Sequence, residues 1–334
     1  MSSDSQGRLP ADAGISPSEA AVPCSDEASE PPTLASRDAS ETCTVRLADD
    51  CLILAGPTAA GKTKIALPLA QRLGAEIVSV DSMAVYQSLD IGTAKPSAAE
   101  QQEVPHHAID LVAPSASFSV AAWLNEVARA VDSIRARGRR VLFVGGTPLY
   151  LKALREGLAA GPPANPELRA SLTDRLATEG ASALHRELAS LAPDAAARIH
   201  PNDWRRIIRG IEVARMPTPA GSQAATWGTT ASGASAAVML VLDVPRQLLA
   251  ERIADRVRRM FADGLVEEVR AAEAHGGIGA TARQAAGYSE VLAMLAGRLT
   301  QTEAVEQTIR RTRQLAKRQR TWFRSFREAV WICS

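Results

Sequence analysis

Apolar and polar positions change texture three times along the chain. Residues 1–47 are rich in Ser, Ala, Pro and acidic side chains and almost lack periodic apolar content, so they cannot offset the entropy of ordering and are expected to form a disordered tail. From residue 50 short apolar runs alternate with helical patterns. Cys51–Ala55 reads as a strand entering a glycine-rich turn, and residues 62–73 as the helix behind it. Ala75–Val80 reads as a second buried strand. Val120, Trp123, Leu124, Val127, Val131 and Ile134 recur at helical spacing, and residues 140–144 form a third strand running into Gly145, Gly146 and Thr147. Alternating strands and helices predict a parallel sheet with right-handed crossovers and a ligand site at the carboxyl ends of its strands.

The third texture begins near residue 156. Up to about residue 215 there is no strand-like run, only helical stretches separated by Pro162, Pro163, Pro166 and Pro193. Uncharged Ala, Gly, Ser and Thr then dominate from Pro217 for some twenty positions, which predicts a flexible loop. A core strand over residues 238–242 follows, and long helical segments are expected to the C-terminus. The fold expected is α/β, a P-loop parallel sheet core with helices on both faces and an inserted small helical domain. Its parts are a tail (1–47), the first part of the core (48–155), the inserted helices (156–222), and the core completion with basic C-terminal helices (223–334).

Charge sharpens this division. Residues 1–50 hold ten acidic and three basic residues, net −7, which leaves 35 basic and 27 acidic residues in 51–334, net +8. A basic folded part is compatible with a polyanionic partner. Arg310, Arg313, Lys317, Arg320, Arg324 and Arg327 recur at spacings of three and four, with no acidic residue between Gln307 and Arg327. A one-signed stripe of this kind points to phosphate contact rather than a solvated face. No apolar run approaches the roughly 18 residues of a membrane span, and no leader pattern is present, so a cytoplasmic protein is expected. Cys24, Cys43, Cys51 and Cys333 lack metal or disulfide spacing and read as reduced thiols.

The densest chemistry lies in Gly56, Pro57, Thr58, Ala59, Ala60, Gly61, Lys62 and Thr63, which fit G-x-x-x-x-G-K-[ST] between a strand and a helix. Backbone amides of such a loop wrap a phosphate, the lysine neutralises it, and the threonine can bind Mg²⁺. The loop alone leaves open whether that phosphate belongs to a nucleotide. Residues 142–144 run into Gly-Gly-Thr without the magnesium-organising acid of P-loop nucleotide hydrolases. The acid that does end a core strand is Asp81, a candidate acid or base. His106 and His107, a pair before a turn, read as structural.

Together these segments resemble the tRNA dimethylallyltransferase (tRNA isopentenyltransferase) family of bacterial type, from about Leu52 to Trp331. The matching residues include the Gly56–Thr63 loop, Asp81 and Ser82, Asp90 to Pro96, Gly145 to Thr147, His200 to Asp203, Gly287, Tyr288 and Glu290, and Ala316 to Gln319 with Thr321 to Phe323. Ala84, Pro148 and Ala192 depart from the usual residues.

The resemblance implies transfer of a dimethylallyl group from dimethylallyl diphosphate to N6 of the adenosine 3′ to the anticodon of tRNA, with release of diphosphate. It implies that the loop and Mg²⁺ at Thr63 hold the diphosphate, that Asp81 is the base, that Thr147 sits beside it, and that Arg256 meets the leaving group. It implies tRNA contacts at Asp81, Ser82, Met83, Ala84, Thr147, Arg169 and the run Arg205, Arg206, Ile207, Ile208 and Arg209. A monomer with no membrane partner is expected. The alternatives are a small-molecule P-loop kinase, an AMP or ADP isopentenyltransferase, and a nucleic-acid-binding module without catalysis.

Overall fold

The structure, a computed structural model, describes residues 44–158, 162, 164–216 and 237–333. Most of the expected tail and the Ala/Gly/Ser/Thr loop therefore lie outside the described residues. Among the described residues six strands form one sheet: β1 (Cys51–Ala55), β2 (Ala75–Val80), β3 (His106–His107), β4 (Arg140–Gly145), β5 (Val238–Asp243) and β6 (Val330–Cys333). Their order is β3-β2-β4-β1-β5-β6, and every pairing is parallel. The expected α/β core is thus observed. β2 is buried along its whole length, as a parallel strand covered on both faces should be. Ordered packing starts slightly before the expected boundary, because Val45 is already buried in the core.

Two edge strands were not expected. β3 is only two residues long, and it pairs Ile77 and Val78 with His106 and His107. At the opposite edge β6 pairs with β5 from Leu240 to Asp243, where a helix was expected to run to the C-terminus. The physical reason is the apolar Val330–Cys333 run, which satisfies the open edge of β5 after the helix has ended.

Helices wrap the sheet. α1 (Lys62–Leu73) follows the P-loop, with Gly61 in the left-handed region at φ 92° before it and Gly74 after it. After α2 (Ala98–Glu103) comes α3 (Val120–Ala136), N-capped by Ser119, which buries Trp123, Leu124, Val127, Val131 and Ile134, the face its periodicity predicts. The Trp123 indole donates to the Ser79 carbonyl at 3.2 Å and stacks against Tyr150 of α4 (Pro148–Glu156). The ends of β2 and β4 approach so closely that a Cβ on Gly145 would lie 2.1 Å from the Val80 oxygen, so no larger residue fits there.

α5 (Pro166–Glu179), α6 (Ala181–Leu191), α7 (Pro193–Arg198) and α8 (Trp204–Arg215) share a separate small core. Leu172, Leu184, Leu188, Ile207, Ile208 and Ile211 fill it. Beyond β5 the chain forms α9 (Arg246–Ala262), α10 (Leu265–Ala274), α11 (Tyr288–Leu295) and the 23-residue α12 (Gln301–Phe323).

Candidate active site

The P-loop joins the carboxyl end of β1 to α1. The first turn of α1 has no side-chain cap, so its amides remain available to an anion. Lys62 Nζ donates to the Gly56 and Pro57 carbonyls, each at 2.9 Å. Burial pushes this ammonium down from 10.5 to about 8, an effect that Asp81 opposes and Arg256 assists. Arg256 reaches the loop from α9, its guanidinium donating to Thr58 Oγ1 at 3.4 Å and to the Thr93 carbonyl at 3.3 Å. Burial lowers its pKa as well, with Asp81 as the opposing charge. Two cations thus converge on an anion-shaped loop, and Asp81 is the charge that faces both.

Asp81 follows β2 directly. Its Oδ1 accepts the Met83 amide at 2.8 Å, a local turn that fixes the carboxylate. Thr147, just after β4, accepts the Ser82 amide at 3.0 Å, tying the ends of β2 and β4 together. Across the same space Gln319 of α12 accepts the Thr58 amide at 2.9 Å and donates to the Gly146 carbonyl at 2.7 Å.

Two cavities meet here. One, about 520 Å³, is lined by the P-loop with Lys62, Arg252, Arg256 and Arg259. The other, about 350 Å³, is lined by Ser82, Met83, Thr147, Arg205, Arg311 and Arg318. Thr58, Asp81, Thr93, Arg256 and Gln319 line both. Ala84 is buried and borders the phosphate-side cavity. No trio of His, Cys, Asp or Glu positioned for a metal occurs among the described residues. The hydroxyl of Thr63, which is exposed at the start of α1, is a group that could hold Mg²⁺ together with phosphate oxygens and water, a sharing typical of that ion.

The residues expected to meet RNA divide. Arg205 lies over the Trp204 ring, 4.4 Å from its centroid, and lines the second cavity. Arg206 is exposed and pairs with Asp203. Ile207 and Ile208 are buried in the core of the inserted helices, so their side chains serve packing rather than RNA contact. The run is helical, and only one side of it faces outward. Arg169 and Arg209 both donate to the buried Glu212 carboxylate.

The basic stripe is also redistributed. α12 ends at Phe323, so Arg324 and Arg327 lie beyond it. Arg313, Lys317, Arg320 and Arg324 line a separate groove against α9, whereas Arg311, Leu315, Arg318 and Gln319 face the cavity where Asp81 stands. At 100° per residue these are opposite sides of one helix. Arg320 donates to Asp243 at 2.7 Å.

Comparison with known proteins places this geometry. The family model described as IPP transferase matches residues 84–326, and one described as isopentenyl transferase matches 50–112. The chain belongs to the IPP transferase family. Curated relatives named tRNA dimethylallyltransferase from Geobacter metallireducens and Anaeromyxobacter dehalogenans are each 45% identical, covering 84% of this chain and 91% and 94% of theirs. The solved tRNA isopentenylpyrophosphate transferase of Bacillus halodurans is 38% identical at a TM-score of 0.61, covering 86% of this chain and 90% of that one. A eukaryotic dimethylallyltransferase acting on tRNA is 26% identical at a TM-score of 0.66, covering 85% and 73%.

Within this IPP transferase, three contributors had no role from the sequence, although Thr93 and Gln319 lie in segments that match the family. Thr93 offers only a backbone carbonyl to Arg256, which no side-chain pattern announces. Gln319 lies 261 residues from the loop it bonds. Glu268 accepts the Asp90, Ile91 and Gly92 amides and the Tyr288 hydroxyl, fixing the segment that carries Thr93. His107 meets Glu76 and His106 meets the Val104 carbonyl, so both have structural partners.

Proposed function

We propose that this chain transfers a dimethylallyl group from dimethylallyl diphosphate to N6 of the adenosine 3′ to the anticodon in tRNA. The observation that carries the reading is the pair of cavities that meet at Asp81 and Arg256, one built on a phosphate loop and the other bordered by arginines. The P-loop amides, Lys62 and Arg256 hold the diphosphate, and Thr63 is the protein ligand for Mg²⁺, which when bound neutralises phosphate charge. The adenine, turned out of its stack, enters from the side of Arg205 and Arg318.

The amine nitrogen attacks the first prenyl carbon while the carbon–oxygen bond breaks, and its electron pair leaves with the diphosphate. Asp81 takes the amine proton. Cations already in place at the leaving group lower the barrier because negative charge accumulates there. A kinase is not favoured. β4 ends in glycines, and Asp243, which ends the strand beside β1, is bonded to Arg320 and does not line the phosphate cavity.

Among the described residues no helix is long and apolar enough to cross a membrane. The deciding experiment incubates the protein with labelled dimethylallyl diphosphate and Mg²⁺ in the presence of tRNA or, separately, AMP. Label is expected in tRNA alone. Label in AMP alone, or none with phosphoryl transfer from ATP, would overturn the reading.

A further inference from the structure

The peptide joining Pro57 to Thr58 has two occupied sides. Its carbonyl accepts Lys62 Nζ at 2.9 Å, and its N–H donates to Gln319 Oε1 at 2.9 Å. In a P-loop the backbone amides cradle the inner phosphates while the lysine reaches toward the outer one. This peptide, gripped by Lys62, therefore marks the end of the cradle where a third phosphate would seek donors. Gln319 stands at that end. Its Nε2 is held by the Gly146 carbonyl at 2.7 Å, and a Cβ on Gly146 would lie 3.0 Å from that nitrogen and 3.4 Å from Lys62 Nζ. The glutamine is buried, with both ends of its amide engaged, so it has no slack to swing aside.

We propose that Gln319 makes this P-loop selective for a diphosphate over a triphosphate. It withdraws the Thr58 amide from the cradle, and two of the three Lys62 donors are turned onto the loop's own carbonyls. A third phosphate would lose its water without gaining those donors, and unpaired desolvated charge is costly. An apolar group on the diphosphate makes no such demand. The space beyond Thr58 is the one shared with the cavity where Asp81 stands, so the position denied to a phosphate is the position left to a prenyl carbon. Gln319 is thus a specificity-determining residue contributed by the C-terminal helix, and the assignment rests on reading the P-loop as a prenyl diphosphate site.

The test measures dissociation constants of inorganic diphosphate and inorganic tripolyphosphate, each with Mg²⁺, for the wild type, Gln319→Ala and Gln319→Met. The methionine variant keeps the side-chain volume and so guards against collapse of the fold, while neither replacement can accept the Thr58 amide as the glutamine does. The wild type is expected to prefer diphosphate, and both variants are expected to shift the ratio toward tripolyphosphate by about tenfold or more. An unchanged ratio in the folded variants, or a wild type that binds tripolyphosphate as well as diphosphate, would overturn the assignment. Failure of the wild type to move label from dimethylallyl diphosphate to tRNA would instead overturn the reading on which it rests.

Discussion

A diphosphate arriving at the P-loop meets an ammonium, that of Lys62, which burial has pushed down to about 8. The free folded protein therefore binds fewer protons than the unfolded chain between about 8 and 10.5, so this lysine makes stability rise with pH across that window. Ligand binding acts the other way, since an anion favours the charged form and raises the value. Near pH 8.5 to 9, roughly a unit above the folded pKa at most, diphosphate binding should take up protons. Calorimetry in buffers of different ionisation enthalpy reads this uptake directly. Binding heats independent of the buffer in that range, or equal uptake in Lys62→Met, would refute it. The lysine and its loop were legible in the sequence because eight contiguous residues carry the chemistry. Gln319, Thr93 and Glu268 were not, because their roles exist only once helices distant in sequence close over the loop.

At the scale of elements, α8 shows why a run of residues cannot be assigned as a unit. Its outward side carries Arg205 and Arg206, and its inward side carries Ile207, Ile208 and Ile211 with the fully buried Glu212. Burial alone would raise the Glu212 pKa, but hydrogen bonds from Arg169, Arg209 and the Asn165 amide outweigh it and hold the value below the ordinary 4.5. The stability this carboxylate supplies is complete above that ordinary value and is lost as pH falls through the lower folded one. Glu212→Gln should therefore destabilise the inserted helices by about 1–3 kcal/mol near pH 7, through donors left poorly paired. The gap between mutant and wild type should narrow at acid pH. Thermal unfolding followed from pH 7 to pH 3 measures both, and a pH-independent gap would show that Glu212 acts by shape alone. The acid among apolar residues was visible in the sequence, and Arg209 stands three residues before it on α8; its other partners, Arg169 and the Asn165 amide at the start of α5, were not.

On the scale of the whole molecule, net charge foretold an anionic partner but not the surface that meets it. The stripe read from spacing was real as a pattern, yet α12 turns Arg313, Lys317 and Arg320 away from the cavity beside Asp81 and turns Arg311 and Arg318 toward it. Arg311 is engaged with Glu290 and the Gln284 carbonyl, which leaves Arg205 and Arg318 as the pair best placed to meet phosphates beside an inserted adenine. Chemistry and docking should then separate. Asp81→Asn keeps the side-chain size and removes the base, so the single-turnover rate should fall by about 10²–10⁴-fold while tRNA affinity changes little. Arg205→Ala with Arg318→Ala should weaken tRNA binding and make the slope of log affinity against log salt shallower by roughly 0.7–0.9 for each lost contact. With saturating tRNA, its transfer rate should suffer far less than that of Asp81→Asn. Arg313→Ala with Lys317→Ala, on the opposite side of the helix, removes the same charge and should leave the slope nearly unaltered. If this second pair flattens the slope as much as the first, bulk charge rather than the cavity mouth guides the RNA. If Asp81→Asn transfers the prenyl group at a near-normal rate, the amine proton leaves by another route.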